Sequence, residues 1–120
     1  MNRSLHLLIV EDSPEQADLL DKYSSRAGYT VTTATNAEDA LLACADRTPD
    51  VVIVDLVLPG MGGWELLPLI REVAPECAIV VTSVLDAGDF PPADAILPKP
   101  FTGAQVREAL ASVTAGMRLP

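Results

Sequence analysis

Charged and hydroxyl side chains follow apolar stretches at four places in this sequence. Glu11 and Asp12 come after the first stretch, Asp55 and Thr82 close two later ones, and Lys99 follows the last. A carboxylate at the end of a buried strand loses hydration unless a cation or hydrogen-bond donors meet it. Clustered carboxylates suit Mg²⁺, and with a hydroxyl and an ammonium they could bind a phosphoryl group attached to a nucleophilic carboxylate.

Asp55 is the predicted nucleophile. It ends the run Val51–Asp55, whose apolar residues read as a strand covered on both faces in the middle of a parallel sheet. Pro59 and Gly60 then turn the chain away. Open α/β folds place their sites at the carboxyl edge of the sheet, which is where this interpretation puts Asp55.

The elements that must position these residues follow from the hydrophobic pattern. Strands are predicted over residues 5–10, 29–34, 51–55, 77–82 and 94–97. Helices are predicted from Pro14 to before Gly28, over 37–46, from Trp64 to about Val73, and from Thr102 to near Gly116, with Ser13, Asn36 and Thr102 as N-caps and with Pro68 inside the third. Strands that alternate with helices pair in parallel through right-handed crossovers, so the strand ends meet at one edge.

The connection between Thr82 and Lys99 departs from this alternation of strands and helices. Gly88 and the pair Pro91-Pro92 leave no room there for a regular helix of several turns. The sequence therefore predicts a loop with at most one helical turn.

Composition excludes some classes of function. The 120 residues suit one domain, and the net charge of −9 argues against a nucleic-acid or anionic-membrane surface but is compatible with a divalent cation or a basic partner. The first apolar run is too short for a signal peptide or a membrane span, which predicts a cytoplasmic protein. Cys44 and Cys77 are interpreted as buried free thiols rather than a disulfide or redox pair, and His6 as structural or exposed rather than as a ligand.

Four motifs stand in the order and spacing of a known family: residues 9–14 (IVEDSP), 54–63 (VDLVLPGMGG), 82–83 (TS) and 99–101 (KPF). With them the whole chain resembles the receiver domain of bacterial two-component response regulators. The resemblance implies that Asp55 accepts a phosphoryl group from a histidine kinase or phosphotransfer protein. It also implies that Thr82 and Lys99 contact the phosphoryl oxygens and that the Lys99–Pro100 peptide bond is cis.

The resemblance further implies a Mg²⁺ site. Asp12 and Asp55 would ligate the ion directly, Glu11 through water, and Val57 through its backbone carbonyl. Val57 also argues against phosphatases of the haloacid dehalogenase type, which need a second acid two positions after the nucleophile. A flavin site is disfavoured because the loop after the first strand is acidic.

Two features depart from the family pattern. Ile96 replaces the switch aromatic, and the segment before it is shorter by about one helix. We therefore expect apolar surface to be partly uncovered near Leu85, Phe90, Ile96 and Leu97, and predict association through the segment from Val84 to Ile96 and the last helix, as a homodimer or with the kinase.

The resulting interpretation is an α/β protein with a doubly wound five-stranded parallel sheet, flavodoxin-like, of order 2-1-3-4-5, with the fourth helix deleted or vestigial. Residues 1–120 are expected to form a single receiver domain without an output domain, either stand-alone or part of a longer protein. It would be a regulator that catalyses only its own phosphorylation and a slow dephosphorylation, since Val57 and Val84 cannot orient an attacking water. The alternative is a docking module that works without phosphorylation.

Overall fold

The computed structural model describes residues 4–84, 90–115 and 117. The apolar runs become strands, and the segments between most of them become helices. In chain order the elements are β1 (His6–Val10), α1 (Pro14–Arg26), β2 (Thr30–Ala34), α2 (Ala37–Asp46), β3 (Val51–Asp55), α3 (Gly63–Val73), β4 (Ala78–Ser83), β5 (Ala95–Pro98) and α4 (Gly103–Thr114).

All five strands pair in parallel, in the order β2-β1-β3-β4-β5, which confirms the predicted sheet. Every residue of β3 is buried, as expected for the middle strand. Asp55 is in register with Thr82, and Thr82 with Leu97. The ends of three neighbouring strands are therefore aligned across the sheet.

Each face of the sheet supports its own hydrophobic core. Successive side chains of a strand point to opposite faces, so Val52 and Val54 belong to one core and Val51 and Ile53 to the other. The first core includes residues of α2 and α3, among them Ala40, Leu66 and Ile70. The second includes residues of α1 and α4, among them Leu20, Val106 and Leu110. The sheet is thus held rigid from both sides beneath its carboxyl edge.

The predicted N-caps are confirmed. Ser13 accepts a hydrogen bond from the Gln16 amide at 3.4 Å, and Asn36 accepts one from the Asp39 amide at 2.8 Å. Thr102 forms a reciprocal capping box with Gln105. The third helix begins one residue earlier than predicted, at Gly63, and continues through Pro68.

The connection between β4 and β5 contains no helix among its described residues, 84 and 90–94, while residues 85–89 lie outside the described part of the chain. Asp94 joins this connection to the sheet. Its amide donates to the Ile79 carbonyl at 2.9 Å, and its carboxylate accepts from the Ile79 amide at 2.7 Å.

The expected apolar patch is smaller than the sequence suggested. Leu97 is only 3% exposed and belongs to the second core, and Phe90 is half-buried against the first. Ile96 is 41% exposed, and Leu85 lies outside the described residues. The expectation is wrong for Leu97 because alternate residues of β5 point to opposite faces, and the face of Leu97 is covered by α4. In the described ranges, no helix is both long and apolar enough to cross a membrane.

Candidate functional site

The predicted site residues lie together at the carboxyl edge of the sheet. Glu11 follows β1, with its amide donating to the Ala34 carbonyl of β2 at 3.0 Å. Asp55 ends β3, and Lys99 follows β5, where its amide donates to the Ser83 carbonyl at 2.8 Å. Residues 88 positions apart in sequence therefore meet in space.

Lys99 occupies the centre of this arrangement. Its ammonium lies 2.7 Å from Glu11 Oε1 and 2.8 Å from Asp55 Oδ2. The side chains of Glu11 and Asp55 are 1% and 6% exposed, and that of Lys99 is 15% exposed. One ammonium group thus pairs with two buried carboxylates, so the three side chains together carry an excess of negative charge.

Backbone amides satisfy the other oxygens of the same two carboxylates. The Ser13 amide donates to Glu11 Oε2 at 3.2 Å, and the Val57 amide donates to Asp55 Oδ1 at 2.9 Å. Each carboxylate is therefore held through both of its oxygens, one by the ammonium and one by an amide. Asp55 therefore has a defined orientation at the mouth of the site.

Burial and pairing act in opposite directions on these groups. Burial raises the pKa of Glu11, and the hydrogen bond from Lys99 offsets this only in part. Burial lowers the pKa of Lys99, but its hydrogen bonds to Asp55 and Glu11 outweigh that effect, so its pKa is raised above the ordinary value. The ammonium form of Lys99 is therefore favoured at neutral pH.

Glu11, Asp12 and Asp55 form an acidic pocket. Each offers a carboxylate oxygen, and the three oxygens lie within 4.8 Å of one another. Asp12 is exposed, whereas the other two are buried. Hard carboxylate oxygens in excess over the neighbouring ammonium are the donor set that Mg²⁺ prefers, so the residues fit a divalent cation.

Thr82 lies beside Asp55 in register and is fully buried. Its hydroxyl donates to the Leu97 carbonyl of β5 at 2.6 Å. Sequence reasoning missed this acceptor, because every residue has a carbonyl and nothing in the residue type of Leu97 marks it.

The first residue of α3 must be a glycine. A Cβ on Gly63 would lie 2.7 Å from both the Asp55 carbonyl oxygen and Leu56 Cα. The Gly63 amide donates to the Leu56 carbonyl at 3.0 Å, so the start of α3 packs directly against the end of β3. The glycine-rich run 60–63 was the sequence signal for this close approach, although it was interpreted only as a turn.

The apolar side chains two positions after Asp55 and after Thr82 are exposed. Val57 and Val84, each two positions beyond a site residue, are 62% and 74% exposed. The Lys99–Pro100 peptide bond is cis, as the resemblance implied.

The residues interpreted as structural keep that role. His6 is 4% exposed, its Nε2 lies 2.8 Å from Thr32 Oγ1, and it belongs to the opposite end of β1 from the acidic pocket. Cys44 and Cys77 are buried free thiols, as predicted, and burial raises the pKa of Cys77 to about 12.

Comparison with known sequences gives a family match over most of the chain. The family model described as response regulator receiver domain matches residues 7–111. The response regulator MprA of Mycobacterium ulcerans is 31% identical over 96% of this chain, and the DNA-binding transcriptional regulator NtrC of Salmonella typhimurium is 34% identical over 88%. The chain spans 51% of the length of MprA and 23% of that of NtrC.

Comparison with solved structures gives the same fold. A CheY-like response regulator receiver domain from Methylobacillus flagellatus superposes with a TM-score of 0.84 at 27% identity, over 92% of this chain and 99% of the other. The chemotaxis response regulator CheY4 of Vibrio cholerae superposes with a TM-score of 0.86 at 24% identity, also over 92% and 99%. At 24% identity, the similarity to CheY4 concerns the fold alone.

Proposed function

Because the chain belongs to the response regulator receiver family, we propose that it is a phosphorylation-dependent signalling switch that accepts a phosphoryl group on Asp55. Receiver domains are regulatory domains rather than classical enzymes, and they interact with histidine kinases or phosphotransfer proteins. The observation that supports this best is the Asp55 carboxylate, with one oxygen 2.8 Å from Lys99 at an acidic edge. We also propose that residues 1–120 form one receiver domain.

The donor would be a phosphohistidine on a histidine kinase or phosphotransfer protein. One Asp55 oxygen attacks the phosphorus, the new O–P bond forms, and the N–P bond breaks with its electron pair left on the imidazole. The bond from the Val57 amide to Oδ1 holds the carboxylate in place. The Lys99 ammonium neutralises charge on the phosphoryl oxygens, and the Thr82 hydroxyl donates a hydrogen bond to one of them.

The carboxylates of the acidic pocket would hold a divalent cation. Asp12, Asp55 and Glu11 would hold Mg²⁺ together with the backbone carbonyl of Val57, and their oxygens are the hard donors that suit it. When bound, the ion neutralises the negative charge of the carboxylates and the incoming phosphoryl group.

Loss of the phosphoryl group is expected to be slow. Val57 and Val84 are the side chains two positions beyond Asp55 and Thr82, and neither carries an atom that could hydrogen-bond an attacking water. Both are well exposed, so neither side chain belongs to a hydrophobic core. Loss of the acyl phosphate within seconds in the purified protein would contradict this part of the proposal.

Acetyl phosphate tests the phosphoacceptor role directly. The protein is incubated with acetyl phosphate and Mg²⁺, and its intact mass is measured. We expect one phosphoryl adduct, its absence in Asp55→Asn, and its persistence in Asp18→Asn, which makes the same change at an exposed position of α1. An adduct that survives Asp55→Asn would contradict the assignment of Asp55.

A docking module that works without phosphorylation is the second candidate. It is favoured by Ile96 in place of an aromatic and by the shortened connection before β5. In that case acetyl phosphate leaves the intact mass unchanged. In the first case the partner is a histidine kinase or phosphotransfer protein. A homodimer through the segment from Val84 to Ile96 and α4 is compatible with either case. Sedimentation of a monomer at high concentration, with and without a phosphoryl analogue, would contradict the homodimer.

A further inference from the structure

The strand β2 forms one edge of the sheet and, among the described strands, pairs with β1 alone. The Thr30 amide and the Ala34 carbonyl form hydrogen bonds on the β1 side of the strand, at 2.9 Å and 3.0 Å. Because the main-chain groups of alternate residues point to opposite sides of a strand, the amides and carbonyls of Val31 and Thr33 point away from β1. β2 therefore presents two donors and two acceptors at the open edge of the sheet.

β2 lacks the features that usually protect an edge strand from pairing with another chain. Such strands are commonly interrupted by proline, a charged side chain or a bulge. The segment 29–35 (YTVTTAT) contains no proline and no charged residue, and β2 keeps an unbroken register with β1 over its five residues. Thr30, Thr32 and Thr33 are exposed. The opposite edge strand, β5, is shorter and ends at Pro98, so the edge open to a further strand is that of β2.

We propose that the edge of β2 is an interaction surface at which a second copy of this chain adds its own β2 in antiparallel orientation. A symmetric dimer places the same strand opposite itself, so the strand must be self-complementary. With Thr32 on the two-fold axis, Val31 lies opposite Thr33 of the partner subunit, and the two residues exchange both of their main-chain hydrogen bonds. The same pair repeats on the other side of the axis, so all the outward main-chain groups of Val31 and Thr33 are satisfied.

This register is the one that pairs every residue of β2. Thr32 lies opposite its own copy, and Thr30 lies opposite Ala34 of the partner subunit. A slip by one residue would set outward main-chain groups against inward ones, and a slip by two would leave residues at both ends unpaired. Threonine and valine side chains favour cross-strand contacts of this kind. The sequence of β2 therefore specifies both the antiparallel orientation and the register.

The charge of the chain favours this edge as the place where two copies meet. Each copy carries a net charge of −9, so two copies repel each other over most of their surfaces. Like charges directly opposite each other would destabilise a strand pair, and β2 contributes none. Pairing of two five-residue strands is a small interface, so the association is weak and strengthens as salt screens the charge. It involves neither Asp55 nor the segment from Val84 to Ile96.

Disulfide trapping tests the register. Thr32→Cys places two thiols in a non-hydrogen-bonded pair on the two-fold axis, where the Cα atoms are about 4.5 Å apart and within reach of a disulfide. Thr30→Cys is the matched control, because Thr30 is exposed on the same face of β2 but would lie about 14 Å from its own copy. With diamide as the oxidant, we expect a covalent dimer of Thr32→Cys and a monomer of Thr30→Cys. The native thiols of Cys44 and Cys77 are buried, so the wild-type protein should also stay monomeric after oxidation and denaturation.

Sedimentation equilibrium measures the association without a cross-link. Thr33→Lys puts a lysine into both hydrogen-bonded pairs, whereas Thr48→Lys makes the same change of charge at an exposed position outside β2. We expect the dissociation constant of the dimer to rise roughly tenfold in Thr33→Lys, because two cross-strand pairs are replaced at once. It should stay near the wild-type value in Thr48→Lys and in Ile96→Lys, which alters β5 instead.

The results decide between the two surfaces. Equal trapping of Thr32→Cys and Thr30→Cys would overturn the inference, as would a wild-type protein that stays monomeric at high concentration and high salt. A dimer that survives Thr33→Lys but is lost in Ile96→Lys would also overturn it and would assign association to the segment from Val84 to Ile96 and α4. None of these outcomes bears on Asp55, whose role is tested separately by the acetyl phosphate adduct.

Discussion

Replacing Lys99 by Met tests whether one ammonium holds two buried carboxylates in the fold. The substitution removes the hydrogen bonds of 2.7 Å to Glu11 and 2.8 Å to Asp55 and keeps an unbranched side chain. Each charge-assisted bond contributes roughly 1.5–3 kcal/mol. Removing a partly buried ammonium recovers part of this through lost desolvation, so the expected net loss is about 3 kcal/mol of unfolding free energy at pH 8.

The loss should become smaller as the pH falls. The pKa of Glu11 is raised by burial even with Lys99 present. Without the ammonium that pKa rises further, so the carboxyl group becomes protonated at a higher pH and no longer needs a cation. Lys99→Met is therefore expected to differ less from the wild-type protein at pH 5 than at pH 8.

Urea unfolding in a metal-free buffer measures the effect. Lys22→Met, at an exposed position of α1, is the matched control and should change stability by less than about 0.5 kcal/mol. A loss for Lys99→Met no larger than that of the control would refute the reasoning. So would a loss that grows as the pH falls.

Three further changes follow from single contacts, each measured by urea unfolding. Burial lowers the pKa of His6, so below pH 6.5 the unfolded chain binds a proton that the folded chain does not. The stability of the wild-type protein should therefore fall as the pH drops below 6.5, and that of His6→Gln should lack this dependence. Identical pH profiles for the two proteins would contradict the prediction. Gly63→Ala should cost roughly 1–3 kcal/mol, because its Cβ meets the Asp55 carbonyl; an unchanged stability would contradict this. Asp94→Ala should cost roughly 1–3 kcal/mol because it leaves the Ile79 amide unpaired. Asp94→Asn keeps an oxygen acceptor and should cost less. Equal losses for the two variants would count against a stabilising role of the bond from the Ile79 amide to Asp94.

The elements could be predicted from the sequence because their signals are local. Ser13, Asn36 and Thr102 carry the side-chain oxygens that cap helix amides, and all three are caps in the structure. The strand bounds differ from the predictions by one residue at several ends. Strand ends depend on pairing with a neighbour, as at Asp94, whose hydrogen bonds to Ile79 place it just before β5.

The meeting of Glu11, Asp55 and Lys99 could also be predicted, because parallel strands all end at one edge. The hydrogen-bond partners of the site residues could not be predicted from the sequence. The alternation of β5 buries Leu97 under α4, whereas the short apolar run 94–97 gave no sign of which residues face inward. The acceptor of the Thr82 hydroxyl is a backbone atom on a neighbouring strand, and only the three-dimensional register identifies it.

The two groups proposed to contact the phosphoryl oxygens are both tied to β5. Lys99 follows the last residue of that strand, and Thr82 is bonded to the carbonyl of Leu97 within it. In the free protein Lys99 is bonded to Asp55 and Glu11, while Thr82 is bonded to β5 itself. Both groups are therefore anchored at the carboxyl end of one short edge strand. A phosphoryl group on Asp55, as proposed, would offer a new acceptor to each of them.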